Sequence, residues 1–151
     1  MAYNLITRYL SHRNEKMKKI INTSNAPAPI GPYSQAVLSG NTLYTSGQIA
    51  LHPETMELVI DDIKTETKQV MENMKAVLAA ADMTFDNVIK SSIFISDMNN
   101  FKHINDIYGQ YFDEATAPAR ETVEVANLPK FVNVEISMIA VKPEQKTLYK
   151  K

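Results

Sequence analysis

Arg120 stands in the run Ala117-Pro118-Ala119-Arg120-Glu121-Thr122-Val123-Glu124-Val125, where a loop turns into a strand. Pro118 fixes its own φ and biases Ala117 toward extended backbone. The alternation from Thr122 to Val125 is that of a half-buried strand. A guanidinium on such a junction is held by a rigid element and can grip a planar carboxylate or phosphate through two parallel hydrogen bonds. By position alone it also fits a surface arginine that opens a strand. Other polar groups occupy similarly awkward places. Gly31-Pro32-Tyr33-Ser34 presents Tyr33 at the entry to a strand. Thr45-Ser46-Gly47-Gln48 ends a strand with a hydroxyl and a glycine, where backbone N–H groups are easily offered to a ligand. Asn105 lies in a helical run otherwise rich in apolar contacts, and Glu135 sits in the middle of a strand that reads as the neighbour of the Arg120 strand. Taken singly, each has a plain structural reading: a turn aromatic, a strand end, a solvated helix residue, a salt-bridge partner.

Other chemistries find less support. His12, His52 and His103 lie at no metal-like spacing, and with no cysteine in the chain thiolate catalysis and cysteine-rich zinc sites are excluded. A Ser-His-Asp triad has no obvious members. No glycine-rich phosphate loop exists, since none of the four glycines fits such a pattern.

Positioning these groups requires an alternation of strands and helices. Lys18 to Asn22 reads as a short strand, followed by a loop from Thr23 to Pro32 in which three prolines exclude regular structure. Ser34–Leu38 and Thr42–Ser46 form a hairpin signal across Ser39-Gly40-Asn41. Asp61 or Asp62 caps a helix running to about Ala81, with Ile63, Thr67, Val70, Met71, Met74, Val77 and Leu78 on one apolar face and Glu66, Lys68, Glu72 and Lys75 mostly on the other. The methionines on that face read as core filler. Val88–Ser96 is a strand with Ile89, Ile93 and Ile95 facing one way. Asn99–Phe112 is a second amphipathic helix built on Phe101, Ile104, Ile107, Tyr108 and Tyr111. Glu121–Ala126 and Val132–Val141 complete the strands. The expected fold class is α+β, a mixed sheet with two helices packed on one face. Its other face must be polar or covered, and self-association is the expected cover.

The chain has 151 residues, 44% of them hydrophobic, which fits one domain. A formal net charge of −1 and a pI near 6.3 argue against neutralising a phosphate backbone. No apolar run reaches transmembrane length, so no membrane partner is expected. Residues 1–16 are basic and acid-poor, and Met17 reads as a fresh start; an upstream start, a leader or an organelle-targeting peptide all fit that segment. Absence of cysteine is compatible with a cytoplasmic protein. The expected organisation is an extension over 1–16, a domain over 17–142 and a frayed tail over 143–151.

Four ordered motifs make a more specific statement. Ala28-Pro29-Ile30-Gly31-Pro32-Tyr33-Ser34-Gln35-Ala36, Tyr44-Thr45-Ser46-Gly47-Gln48-Ile49, Ala117 through Val125 with Leu128-Pro129, and Val134-Glu135-Ile136 resemble the RidA/YjgF family of reactive-intermediate deaminases. The resemblance runs from about Met17 to Lys142. It implies a chorismate-mutase-like fold, a homotrimer and ligand clefts between subunits. It implies hydrolysis of 2-imino acids such as 2-iminopropanoate (with its enamine 2-aminoacrylate) and 2-iminobutanoate to 2-keto acids and ammonia. By the same resemblance Arg120 matches the family's carboxylate clamp, and Tyr33, Ser46, Gly47, Asn105 and Glu135 match its other site residues. Arg120, Glu135, Tyr33 and Asn105 are the expected catalytic set, with Glu135 positioning water, and Arg120, Ser46, Gly47 and Tyr33 the expected substrate-binding set. No metal or organic cofactor is implied, because a protonated imine is already electrophilic. Many relatives carry cysteine where this chain has Thr122. Two other classes stay open: an endoribonuclease or translation inhibitor, and a non-catalytic trimer that binds small acids. The acidic pI and the lack of an aromatic-basic stripe argue against RNA.

Overall fold

The computed structural model describes residues 18–143. The extension over 1–16 and the tail beyond residue 143 lie outside the described residues, as does His12. Local chemistry explains each element. Strand β1 spans Lys19–Ile21, β2 Ala36–Ser39 and β3 Thr42–Thr45. The turn between β2 and β3 is two residues long, and Gly40 takes φ +60°, which suits a residue without Cβ. Helix α1, Ile63–Ala80, is capped by Asp62, whose Oδ1 accepts from Lys64 N at 2.8 Å and Thr65 N at 3.0 Å. It ends where Asp82 adopts a left-handed φ of 54°. Strand β4 is Val88–Ile95, α2 Phe101–Tyr108, β5 Ala119–Glu124 and β6 Val134–Val141. Short 3-10 turns flank α2 at Met98–Asn100 and Gly109–Tyr111, so the single helix expected over Asn99–Phe112 has only its middle in α form.

The strands form one mixed sheet in the order β1-β2-β3-β6-β4-β5. Neighbours run antiparallel except β4 and β5, which are parallel and joined through α2. Both helices lie on one face. Val70, Met71, Met74, Val77 and Leu78 of α1 and Ile104 and Tyr108 of α2 share a core with Leu43, Ile93, Ile95, Val134, Ile136 and Met138 of the sheet. On the other face Ile20, Tyr44 and Val123 are exposed. A smaller apolar cluster of Ile49, Leu51, Leu128 and Val132, with Phe94 against it, covers one end of the sheet.

Three expectations need correction. Ile89 does not join Ile93 and Ile95 in the core but is exposed, because the β4–β6 register shifts between Val88 and Lys90 and turns it outward. Glu66 is not on the solvated face of α1 but fully buried. The strands of Arg120 and Glu135 are not neighbours. Strand β4 lies between them, since β6 pairs with β3 and β4 while β5 pairs with β4 alone.

Candidate active site

Arg120 stands on edge strand β5 opposite Ser91. Ser91 is buried beneath α2 and its Oγ accepts from the Tyr108 hydroxyl at 2.9 Å, so this register puts Arg120 on the helix face. Three contacts hold its side chain. Nη1 donates to Asn105 Oδ1 at 2.7 Å, and Cζ lies 5.1 Å from the Tyr108 ring centroid and 5.9 Å from that of Phe101. Burial pushes the Tyr108 phenol up, opposed by its bond to Ser91 and by the Arg120 charge. The guanidinium is exposed at a cleft of about 570 Å³, lined by Asn105, Tyr108, Phe112, Pro118 and Arg120 among others. Among the described residues no carboxylate comes within ion-pair distance of it. It is a fixed cation aimed at open space, with donors left for a bidentate acid.

Glu135 stands on β6 opposite Phe94. Val134 and Ile136 on either side point into the main core, so Glu135 faces away from the helices. It lines a second cleft, about 360 Å³, with Tyr33, Gln35, Ser46, Gly47 and the apolar Pro27, Ile30, Ile49, Leu51 and Pro129. Burial disfavours its charged form and raises its pKa above the usual carboxylate value. Gly47 is required by close approach: a Cβ there would fall within the Glu135 carboxylate, 2.7 Å from Cδ. The rest of the cleft has a defined donor pattern. Ser46 Oγ donates to Ser34 O at 2.6 Å, which leaves its lone pairs to accept. Tyr33 OH accepts from Ile30 N at 3.1 Å, which leaves its own proton to donate. Among the described residues no hydrogen bond occupies the Gly47 N–H.

Within the chain the six expected residues therefore divide. Arg120 and Asn105 come together on one face; Tyr33, Ser46, Gly47 and Glu135 come together on the other. Thr122 lies opposite Ile93 on the Arg120 strand, half-buried. His52 and His103 join neither group; His52 Nδ1 accepts weakly from Glu54 N and Thr55 N within its own turn.

Some contributing residues were not singled out from sequence. Gln35, fully enclosed, folds the proline loop: its Oε1 accepts from Thr23 N at 2.7 Å and its Nε2 donates to Thr23 O, Ala26 O and Pro27 O. Asn73 Nδ2 donates to Ile49 O and Leu51 O, fixing a cleft wall. Gln48 exchanges backbone bonds with Ile136, at 2.8 and 3.1 Å, beside Glu135. Their common signal is a polar side chain at a position that must be buried.

Comparison with known proteins decides the family. The model described as Endoribonuclease L-PSP matches residues 23–142. This chain belongs to that family, which includes the RutC and Rid proteins. A RutC family protein of Synechocystis is 54% identical over 126 residues, covering 83% of this chain and 97% of that one. A protein of Escherichia coli K12 named as a candidate reactive intermediate deaminase, TdcF, is 47% identical over 128 residues, covering 83% and 98%. The crystal structure of Escherichia coli TdcF with bound serine superposes with a TM-score of 0.78 at 45% identity, covering 83% of this chain and 99% of that one. A Rid family protein of Yersinia pestis gives 0.80 at 50% identity, covering 83% and 99%. The L-PSP family thus shares this mixed sheet with two helices. Among the described residues no helix is long and apolar enough to cross a membrane.

Proposed function

We propose that this L-PSP family member hydrolyses small 2-imino acids to 2-keto acids and ammonia, in clefts that two copies of the chain build together within a homotrimer. The observation that carries the reading is the pair of half-sites. A fixed guanidinium without a carboxylate partner and a half-buried carboxylate beside a bare N–H stand on opposite faces of one sheet. A molecule of three or four heavy atoms beyond its carboxylate cannot touch both within one protomer. The unpartnered sheet face, with exposed Ile20, Tyr44 and Val123, supports association of copies on that side. The serine bound to TdcF supports an occupant that carries an α-carboxylate.

In this reading Arg120, oriented by Asn105, binds the substrate carboxylate through two N–H donors and so fixes the C=N carbon. Glu135 accepts a proton from water as the water oxygen bonds to that carbon. The product is a carbinolamine. Glu135 then returns the proton to nitrogen, the C–N bond breaks, and the hydroxyl gives its proton back to the Glu135 carboxylate as the keto group forms, from which it passes to the departing ammonia. One water is consumed and one ammonia leaves. Ser46 Oγ accepts from the imine N–H, while Tyr33 OH and the Gly47 N–H donate to substrate oxygen. A protonated imine carbon is electrophilic without an external electron sink.

The test is a coupled assay. Imines generated from threonine by a dehydratase or by an amino-acid oxidase are followed with and without the protein. Faster loss of imine with matching keto acid and ammonia supports the reading; unchanged loss at micromolar protein, with ligand still bound, points to a non-catalytic acid-binding assembly. Cleavage of RNA by repurified protein without imine turnover would favour the activity in the family's description.

A further inference from the structure

Glu66 is a fully buried carboxylate in the first turn of α1, and the mechanism above does not use it. Among the described residues no cation pairs with it. Its oxygens are met by N–H groups alone. Oε1 accepts from Asn133 N at 2.7 Å and Val134 N at 3.3 Å, and Oε2 accepts from Asn133 Nδ2 at 2.8 Å. Asn133 in turn binds the end of β4: Ser96 N donates to Asn133 O at 3.1 Å and Ser96 Oγ to Asn133 Oδ1 at 3.2 Å. Burying a carboxylate is unfavourable, and an apolar side chain would fill the same place in the core without that penalty.

What the tether fixes is the start of β6. Residues 133 and 134 are held by Glu66, and residue 136 is held by its exchange of bonds with Gln48. Glu135 is the residue between these two holds. Its side chain leaves the strand on the far side, where Gly47 gives it room only in a narrow position.

We propose that Glu66 is a positioning residue for Glu135: its tether to Asn133 and Val134 sets where the Glu135 carboxylate stands against Gly47. The proposal rests on the reading of Glu135 as the proton acceptor. Displacing a catalytic group by about 1 Å costs on the order of a hundredfold in rate. Glu66→Ala removes the acceptor of two backbone N–H groups and frees the strand start. Its expected effect is a fall of about tenfold to a hundredfold in kcat with KM nearly unchanged, because the carboxylate grip at Arg120 is untouched. The acid limb of the kcat–pH profile also moves to lower pH, since a loosened Glu135 gains water. Glu66→Gln keeps an oxygen for both backbone N–H groups, and the Asn133 amide can turn to meet its new amide. That variant recovers most of the wild-type kcat.

Val70→Ala, one turn along the same helix and buried, lowers stability without touching the tether and serves as the control. Should Glu66→Ala not fold, Asn133→Ala removes one of the three bonds and gives a smaller loss of kcat with the same direction of pH change. Unchanged kcat and acid limb in folded Glu66→Ala or Asn133→Ala would overturn the proposal, as would an equal kcat loss in Val70→Ala at matched stability. Glu135→Gln separates the two levels. If it retains full turnover, the reading of Glu135 fails; if it is inactive while Glu66→Ala is normal, only the positioning inference fails.

Discussion

The two candidate half-sites of the chain are built by different means. The Arg120 half is made of side chains on an edge strand and the helix above it, with one hydrogen bond donated to Asn105 and two aromatic rings holding the cation. The Glu135 half is made of backbone: an interior strand bracketed by Glu66 and Gln48, a glycine with no space for Cβ, and a proline loop folded around Gln35. On the proposed reading, the contrast follows from what each group must do. A cation that captures an anion works while solvated, because guanidinium stays charged in any surroundings. A proton acceptor needs a tuned pKa, and tuning a carboxylate upward takes burial and a fixed position. The exposed half therefore tolerates a looser frame than the buried one.

Substitutions can break that comparison in order of size. Arg120→Ala removes the charged group that grips the carboxylate, and its edge position carries little of the fold. We expect kcat/KM to fall by about a thousandfold with the thermal midpoint shifted by no more than about 2 °C, measured by imine turnover and calorimetry. Retained turnover would refute the clamp. Gly47→Ala sets a methyl where the Glu135 carboxylate lies, so the carboxylate must swing out; kcat should fall by about a hundredfold while KM holds. Asn105→Ala leaves Arg120 its charge but not its orientation, and should raise KM by about tenfold with a smaller change in kcat. The smallest effect sharpens the buried half. Glu135 must be ionised to accept a proton, and burial raises its pKa, so activity should be lost on acidification at a pH above that of an ordinary carboxylate. In Gly47→Ala, with the group driven toward water, the same limb should move down in pH. A limb unmoved by that change would mean that another group titrates.

The sequence carries much of this architecture and little of its sidedness. Helix α1 is legible because Val70, Met71, Met74, Val77 and Leu78 recur at helical spacing behind an Asp cap. The hairpin is legible because Gly40-Asn41 separates two apolar alternations. The outward position of Ile89 is not legible, because a one-residue bulge reverses every side chain beyond it and nothing in the alternation marks the slip. Glu66 was read as solvated because helical spacing gives a face only approximately, and a charged residue defaults to water unless its partners, 67 and 68 positions away, are known. Five of the six candidate residues, all but Asn105, stand in the ordered motifs. The division of the six between two faces is not legible, because it depends on β4 lying between β5 and β6, and sheet order is set by non-local pairing.

Complementation between inactive variants tests the shared cleft most directly. Arg120→Ala and Glu135→Gln are mixed in equal amounts, unfolded, refolded together and assayed for imine loss. If each cleft takes its cation from one copy and its carboxylate from the next, random assembly makes about one cleft in four fully wild type, and about a quarter of wild-type turnover returns. A mixture no more active than the average of the two variants assayed apart would contradict the account.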